Sequence, residues 1–309
     1  MENTKKIEIS IIILSWNTKD ILDKCLESLF KDLKDSKILS EVIVIDNASS
    51  DNSSQLVEKK YPEVVLIKNK TNLGFAKGNN VGLKIAKGKY IMLLNSDTIV
   101  QKGTMEKLVG FYSSQKEKLV ALSPLLLNID GTPQEHYYMK FPNLWQIFGY
   151  HNFLIRPLIM RTPLKWTIVS KIKNQPVEVD QLPGASFVAS KEVWEKVGLL
   201  SEDYRFLYED VDWSWRAKKL GIKLFVIPEA KIIHLGGGSW KQKLNSQSFE
   251  FYRQFFSSLL LFVKKNYTSD KFQIFKTAII INFLLQLKFK LAGYFLNNKN
   301  ILTQNKLWE

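Results

Sequence analysis

The chain has 309 residues, 45% hydrophobic and 24% charged, an ordinary make-up for a protein with a real core and enough for one large domain with an appendage or for two domains. Its single cysteine, Cys25, excludes an internal disulfide and an all-cysteine zinc site and fits a cytoplasmic location, and MENTKKIEIS at the start has no apolar run, so no signal peptide is expected. Net charge is +14, and residues 241–309, with 11 basic and 3 acidic side chains, supply more than half of it, which points to an anionic partner at that end: nucleic acid or a membrane surface.

In chain order, IEISIIILSW (7–16) is a short Ile-rich run and reads as a buried strand. DILDKCLESLFKDL (20–33) sets Ile21, Leu22, Cys25, Leu29 and Leu33 at helical spacing. EVIVIDNASSDNS (41–53) is a strand ending in a polar turn. SSQLVEKKY (53–61) is a short helix, VVLIKN (64–69) a strand, GNNVGLKIAKG (78–88) a helix and YIMLLNSD (90–97) a strand. Continuous apolar strands alternating with amphipathic helices predict a mostly parallel α/β sheet covered on both faces. Its strand carboxyl ends share one edge, where ligands of open α/β sheets bind. SWN (15–17), DNAS (46–49) and NSD (95–97) all fall there. A plain turn and a metal site both remain open for Asn95–Asp97, because Asn, Ser and Asp also hydrogen-bond their own backbone.

Residues 134–180 lose this regularity and are aromatic and basic. Two readings stand: an irregular acceptor-side insertion, or a surface helix pair packed on the sheet. Then VDQLPGASFVASKEVWEKVG (179–198) reads as a strand and a helix opening after Ser190. YEDVDWSWRAKKLG (208–221) reads as a helix ended by Gly221, IKLFVIP (222–228) as a strand, and AKIIHLGGGSW (230–240) as a strand end entering a glycine loop. The tail reads as helices, with Phe249, Tyr252, Phe256, Leu259 and Val263 at three- to four-residue steps. Residues 277–296 are long and apolar enough to cross a bilayer, but Lys288 and Lys290 interrupt them. A charge near the bilayer centre costs about 2.5–3.5 kcal/mol, which favours a helix lying in the interface.

SWN, DNASSD, NLGFAKGNN, LLNSDT, GASFVASKEVWEKVG, YEDVDWSWR and IIHLGGGS occur in that order. In this series the chain resembles the family-2 inverting glycosyltransferases of the GT-A fold, and within them the bacterial rhamnosyltransferase-like group, over residues 7–240. The resemblance implies a GT-A glycosyltransferase domain over 1–240, with 241–309 as a basic amphipathic helical tail. It also implies transfer of a sugar from a nucleoside diphosphate to an acceptor hydroxyl. Asp97 falls on the last acid of a DxD-like motif and would hold Mg²⁺ or Mn²⁺ with the diphosphate. Asn95 stands where a first Asp could be, so weak metal binding without nucleotide is expected. Ser96 falls in the same motif. Asp46 would accept from the ring N–H of uracil or thymine while capping its own turn, with Ser15 and Asn17 beside it.

Gly74 and Gly78 would flank a turn that admits phosphate, with Asn72 and Asn79 as polar contacts. Asp210 would be the general base, and Glu209 would bind the acceptor or orient the site. Asp212 is expected to be structural. His234 is a metal ligand in some relatives, with a satisfied structural histidine as the other reading. Gly236–Gly238 and Ser239 would close over the diphosphate. Gly184 and Ala185 would leave room for a sugar, and Trp240, like Trp213 and Trp215, would stack on one unless it packs in the core.

The expected donor is dTDP-rhamnose or next a UDP-sugar, and the acceptor a glycan or lipid-linked hydroxyl in bacterial surface polysaccharide synthesis. The tail would hold the protein at the anionic inner face of the cell membrane. Two other classes make different demands on the sequence. A nucleic-acid-binding protein would interleave basic and exposed aromatic residues on a sheet or groove, whereas here basic residues flank apolar helices. A non-catalytic sugar-nucleotide-binding or scaffold protein would lack the base or the metal ligand, and Asp210 and Asp97 are present. A nucleotidyltransferase would need a glycine- and lysine-rich N-terminal triphosphate loop.

Overall fold

The computed structural model describes residues 6–114, 119–134, 137, 140–152, 154–161, 172, 175–204, 207–236 and 248–297. The first half alternates as the apolar runs require: β1 (Ile9–Ser15), α1 (Lys19–Ser36), β2 (Ser40–Asp46), α2 (Ser53–Lys60), β3 (Val65–Lys68), α3 (Phe75–Ile85) and β4 (Tyr90–Asn95). β1 pairs with β2 and β4 in parallel, and β2 with β3. Ile9, Ile11, Ile12 and Ile13 are wholly buried, because helices cover both faces. α1 turns Leu22, Cys25, Leu26, Leu29 and Leu33 inward and ends where Lys37 adopts a left-handed conformation.

Residues 98–133, for which the sequence suggested no element, hold β5 (Thr98–Val100), α4 (Thr104–Ser114) and β6 (Val120–Leu127). Next come α5 (Leu144–His151), α6 (Arg156–Met160), β7 (Val177–Glu178), β8 (Ser186–Ser190), α7 (Lys191–Val197), α8 (Glu209–Lys219) and β9 (Lys223–His234). The main sheet order is β3-β2-β1-β4-β8-β6-β9-β5, with β7 on β9. β8 runs antiparallel to β4 and β6, and β6 runs parallel to β9, so the ends of β1, β2, β4, β6 and β9 meet at one edge. β9 is one strand, not two. The β6–β9 register jumps after Pro124, which faces Ile227, to Leu125, which faces Lys231. Pro228 falls in the resulting bulge, where a missing N–H costs no ladder bond.

The helix expected at 78–88 begins earlier, so Gly78 lies inside α3 and not in a turn. A Cβ there would come within 2.5 Å of Leu14, so the glycine serves close helix–strand packing. The tail forms α9 (Phe249–Asn266), α10 (Ser269–Leu285) and α11 (Phe289–Asn297). The apolar stretch 277–296 is therefore two helices, broken at Leu287, whose φ is +57°. Among the described residues no helix is long and apolar enough to cross a membrane. The three tail helices bury a second hydrophobic cluster together with Ile147 of α5, Tyr204 and Tyr208. The described part of 140–161 is thus a helix pair, but α5 packs on α10 rather than on the sheet.

Candidate active site

Ser15 lies opposite Asp46, and Leu14 opposite Asn95, so the ends of β1, β2 and β4 are level. The loops that follow are laced together. Asn17, with φ +51°, accepts from the Ser50 N–H at 2.7 Å, and its own N–H donates to Ser49 Oγ at 3.0 Å. Asp46 Oδ1 accepts from the Ser49 N–H at 3.3 Å, the turn-closing bond expected of it. Ser15 and Ser96 are buried, not pocket-lining, in a hydroxyl chain. Ser15 Oγ lies 2.9 Å from Thr18 Oγ1, which donates to Ser96 Oγ at 3.1 Å. Thr18 therefore ties β1 to the NSD turn, a role that a lone threonine in the sequence does not advertise.

Asn47 is the other residue the sequence reading passed over. Its Oδ1 accepts from the Leu73 N–H at 3.0 Å and from Asn69 Nδ2 at 3.0 Å, while its Nδ2 donates to Asn72 Oδ1 at 2.7 Å. Asn72 Oδ1 also accepts from the Gly74 N–H at 2.9 Å, so this oxygen shapes the loop before α3. Gly74, at φ +77°, supplies the backbone conformation that starts α3. Asn79 is buried and donates back to Phe75 O at 3.0 Å. Its neighbour Asn80 holds the backbone of Leu200 through both amide atoms, at 2.9 and 3.1 Å.

The NSD turn is closed as a turn, and its last residue faces a histidine. Thr98 Oγ1 donates to Asn95 O at 2.7 Å, which closes the turn. Asp97, 6% exposed, sets Oδ1 3.3 Å from Nε2 of His234, which is 3% exposed. β5 brings the two together, since Thr98 lies opposite His234. The far ring nitrogen, Nδ1, lies 3.0 Å from Gln134 Oε1. An oxygen and a nitrogen at this spacing can serve as neighbouring ligands of one cation lying to their side, and carboxylate plus imidazole is a donor pair that Mn²⁺ accepts. A third His, Cys, Asp or Glu does not join them among the described residues. Mg²⁺ and Mn²⁺ sites commonly complete their shells with phosphate and water.

Asp210 and Glu209 open α8 behind Tyr208, whose φ is +76°. Asp210 Oδ2 accepts from the Gly184 N–H at 2.7 Å and Oδ1 from the Val211 N–H at 2.8 Å. A Cβ on Gly184 would lie 3.1 Å from Asp210 Oδ2. The glycine thus makes room for the carboxylate, where the sequence reading had it make room for a sugar. Ala185 is buried, and its carbonyl accepts from the Asn95 N–H at 2.9 Å. One short loop therefore holds Asp210 on one side and the end of β4 on the other.

Burial raises both carboxyls. Glu209 is pushed up to about 8, by burial first and then by the neighbouring charge of Asp210. Asp210 is raised by burial too, but the N–H bonds from Gly184 and Val211 oppose the rise. Burial and the neighbouring charge favour the neutral form of Glu209, while the N–H bonds from Gly184 and Val211 favour the ionised form of Asp210. Asp212 is structural, as expected. It accepts from Tyr204 Oη at 3.0 Å and from Arg216 Nε at 2.9 Å. Trp213 is buried in the sheet core, and Trp215 packs against Phe262 and Tyr267 of the tail. Gly236 is described, but 237–247, and Trp240 with them, lie outside the described residues.

A mixed sheet with this order, a polar edge at the ends of β1, β2 and β4, an Asp–His pair and an adjacent helix-start carboxylate define a GT-A-type glycosyltransferase. The Glycosyl transferase family 2 model matches residues 10–168, just over half of the chain, and the chain belongs to that family. It is 22% identical over 238 residues to the Low-salt glycan biosynthesis hexosyltransferase Agl10 of Haloferax volcanii, a match spanning 76% of this chain and 69% of that protein. It is 27% identical over 209 residues to the N-acetylglucosaminyl-diphospho-decaprenol L-rhamnosyltransferase of Mycobacterium tuberculosis, covering 62% of this chain and 66% of that one. The chain spans only 15 to 24% of the length of three further curated relatives. In fold it is similar to GalNAc-T7, solved with UDP, GalNAc and Mn²⁺, with a TM-score of 0.57 and 18% identity over 83% of this chain and 48% of that one.

Proposed function

We propose that the protein is an inverting hexosyltransferase of surface glycan synthesis, which moves a sugar from a nucleoside diphosphate to a hydroxyl of a glycan or lipid-linked acceptor. The observation that carries this reading is the loop at Gly184–Ala185, which fixes a carboxylate beside the strand edge that holds Asp97. In the reaction the acceptor oxygen attacks the anomeric carbon, its proton passes to the Asp210 carboxylate, and the bond from that carbon to the diphosphate oxygen breaks. Attack opposite the leaving group inverts the centre. Mg²⁺ or Mn²⁺ held by Asp97 and His234 would offset the negative charge of the leaving diphosphate. Asp46, beside the Asn17 and Asn72 loops, faces the base, and Glu209 as a neutral acid donates to the acceptor.

The donor favoured is dTDP-rhamnose, in keeping with the mycobacterial rhamnosyltransferase, and next a UDP-sugar. The experiment is thermal stability with Mn²⁺ plus dTDP, UDP, GDP or ADP in turn, for wild type and D97A. A ligand that binds only the folded state raises the midpoint. A metal-dependent rise with one of dTDP or UDP, absent in D97A, supports the reading and selects the donor. No rise with any nucleotide overturns it.

The tail supports a peripheral place at the inner, anionic face of the cell membrane. Leu287 and Phe289 at the α10–α11 break are 74% and 63% exposed, and Ile281, Leu284 and Leu285 are exposed on the adjoining turns. Lys288 and Lys290 lie over the rings of Tyr252 and Phe249, so apolar and cationic groups share one surface. Co-sedimentation with phosphatidylglycerol vesicles but not with phosphatidylcholine vesicles is the expected result. Equal recovery with both removes the proposal.

A further inference from the structure

The geometry points to Gln134 as a positioning residue that sets which nitrogen of His234 is offered to the divalent cation. The inference rests on reading Asp97 and His234 as a cation site and adds a residue from outside that pair.

A turn delivers Gln134 to this place. β6 runs out at Leu127, and the chain reverses over Asn128–Thr132. Gly131 takes φ +82°, its N–H donates to Asn128 O at 2.9 Å, and Asp130 Oδ1 accepts from the Thr132 N–H at 2.9 Å. The Asn128 N–H donates to Thr132 O at 2.7 Å, Leu127 bridges Pro133, and the Gln134 N–H donates to Leu126 O at 3.0 Å. Gln134 is left 5% exposed beside the end of β9.

Hydrogen-bond direction then fixes the ring. Gln134 Nε2 lies 2.6 Å from His234 O, and a backbone carbonyl can only accept, so the amide nitrogen must be on that side. Its oxygen therefore points to His234 Nδ1 at 3.0 Å, and an amide oxygen can only accept. Nδ1 must carry the hydrogen. In the neutral ring this leaves Nε2 with its lone pair directed at Asp97 Oδ1, 3.3 Å away. Two acceptors then lie side by side, spaced as neighbouring ligands of one divalent cation. Without the amide, the neutral ring could place its hydrogen on Nε2 and donate to Asp97, which would close the site. Gln134 thus prevents a local hydrogen bond from consuming the ligand atom. The edge of the Tyr137 ring, with its centroid 5.3 Å from that of His234, restricts the ring further.

The test compares wild type, Q134L and Q134E by two readouts. The first is long-range ¹H–¹⁵N spectroscopy of the His234 ring without metal, recorded at a pH where the ring is neutral, with H234Q giving the assignment. The inference expects hydrogen on Nδ1 in wild type and in Q134E, whose carboxylate still accepts there, and a shift toward Nε2 in Q134L. The second is uptake of Mn²⁺ alone, read from the electron spin resonance of free Mn²⁺. Loss of an outer partner of a ligating histidine costs about 10–100-fold in metal affinity, so Q134L should weaken by that much and Q134E should recover most of it.

A neutral wild-type ring with hydrogen on Nε2 overturns the inference, as does Q134L binding Mn²⁺ like wild type. Wild type that takes up no Mn²⁺ even with dTDP or UDP present overturns instead the cation-site reading beneath it. If Q134L does not fold, the ring spectra of wild type and Q134E decide the matter.

Discussion

The protein has two cores, and they differ in kind. The core around the sheet is mainly aliphatic, built largely from Ile, Val and Leu of its strands, with Phe187, Trp194 and Trp213 among them. The second is largely aromatic, with Phe256, Phe262, Phe275, Phe283 and Phe295 of the tail packed around Tyr204 and Tyr208. Each borders one part of the candidate site. The first core holds the level strand ends with Asp46, Asp97 and the Asn47 loop. The second presses on the residues that lead into the carboxylate pair. Tyr208 immediately precedes Glu209 in a left-handed conformation, and its ring meets those of Phe255 and Phe262 at 5.5 and 6.1 Å. Asn266 of α9 donates to Asp212 Oδ1 at 3.3 Å. The tail that brings the basic charge is thus also a support for α8.

This division predicts that the two halves can be broken separately. The largest effect is expected for D210N. Its side chain keeps the size and an oxygen for the Gly184 N–H but cannot take the acceptor's proton. Transfer should fall by about 10²–10⁴-fold, while the rise in melting temperature with nucleotide and Mn²⁺ survives. Transfer at near wild-type rate would move the base elsewhere. F262A should come next. Truncating a buried Phe costs about 3–5 kcal/mol, seen as a lower midpoint in denaturant. Transfer by the remaining folded protein should fall roughly 10–100-fold, because Tyr208 loses a neighbour that holds the start of α8 in place. The nucleotide-dependent rise should again survive. If F262A abolishes nucleotide binding and transfer together, the two cores do not act independently.

The same division explains what could be read beforehand. β1 to β4 were legible because each is a continuous apolar run whose partners are near in sequence, and their polar ends marked one edge. β6 was not, because Pro124 interrupts VALSPLLL in the middle, and β9 looked like two strands because of Pro228. Both prolines sit at one bulge, which is a property of the pair and of neither strand alone. Gln134 was illegible for the same reason. Its nearness to His234 depends on β6–β9 pairing and on the Asn128–Thr132 turn, not on spacing along the chain. Asn47 was hidden beside Asp46 because a loop-bracing amide looks like any other turn asparagine. The break at Leu287 carries no Gly or Pro to announce it, so 277–296 read as one helix. Gly184 does mark a close approach, and what approaches it is Asp210.

The smallest effect expected is also the sharpest test of how the carboxylate pair divides its roles. Burial raises the Glu209 carboxyl from 4.5 to about 8, so the folded state favours its protonated form. The stability this contributes is fully present below the unfolded value and is lost as pH rises through the folded one. E209Q is neutral at every pH and lacks that loss. Its melting temperature relative to wild type should therefore climb by several degrees between pH 5 and pH 8.5. D210N should act in the same direction by another route. Removing the neighbouring charge lowers the Glu209 value, so the loss of stability would end at lower pH and be smaller. A gap between E209Q and wild type that stays constant with pH would mean that Glu209 is ionised in the folded protein throughout. The proposed donor to the acceptor would then have to be sought among other residues, because an ionised Glu209 can only accept.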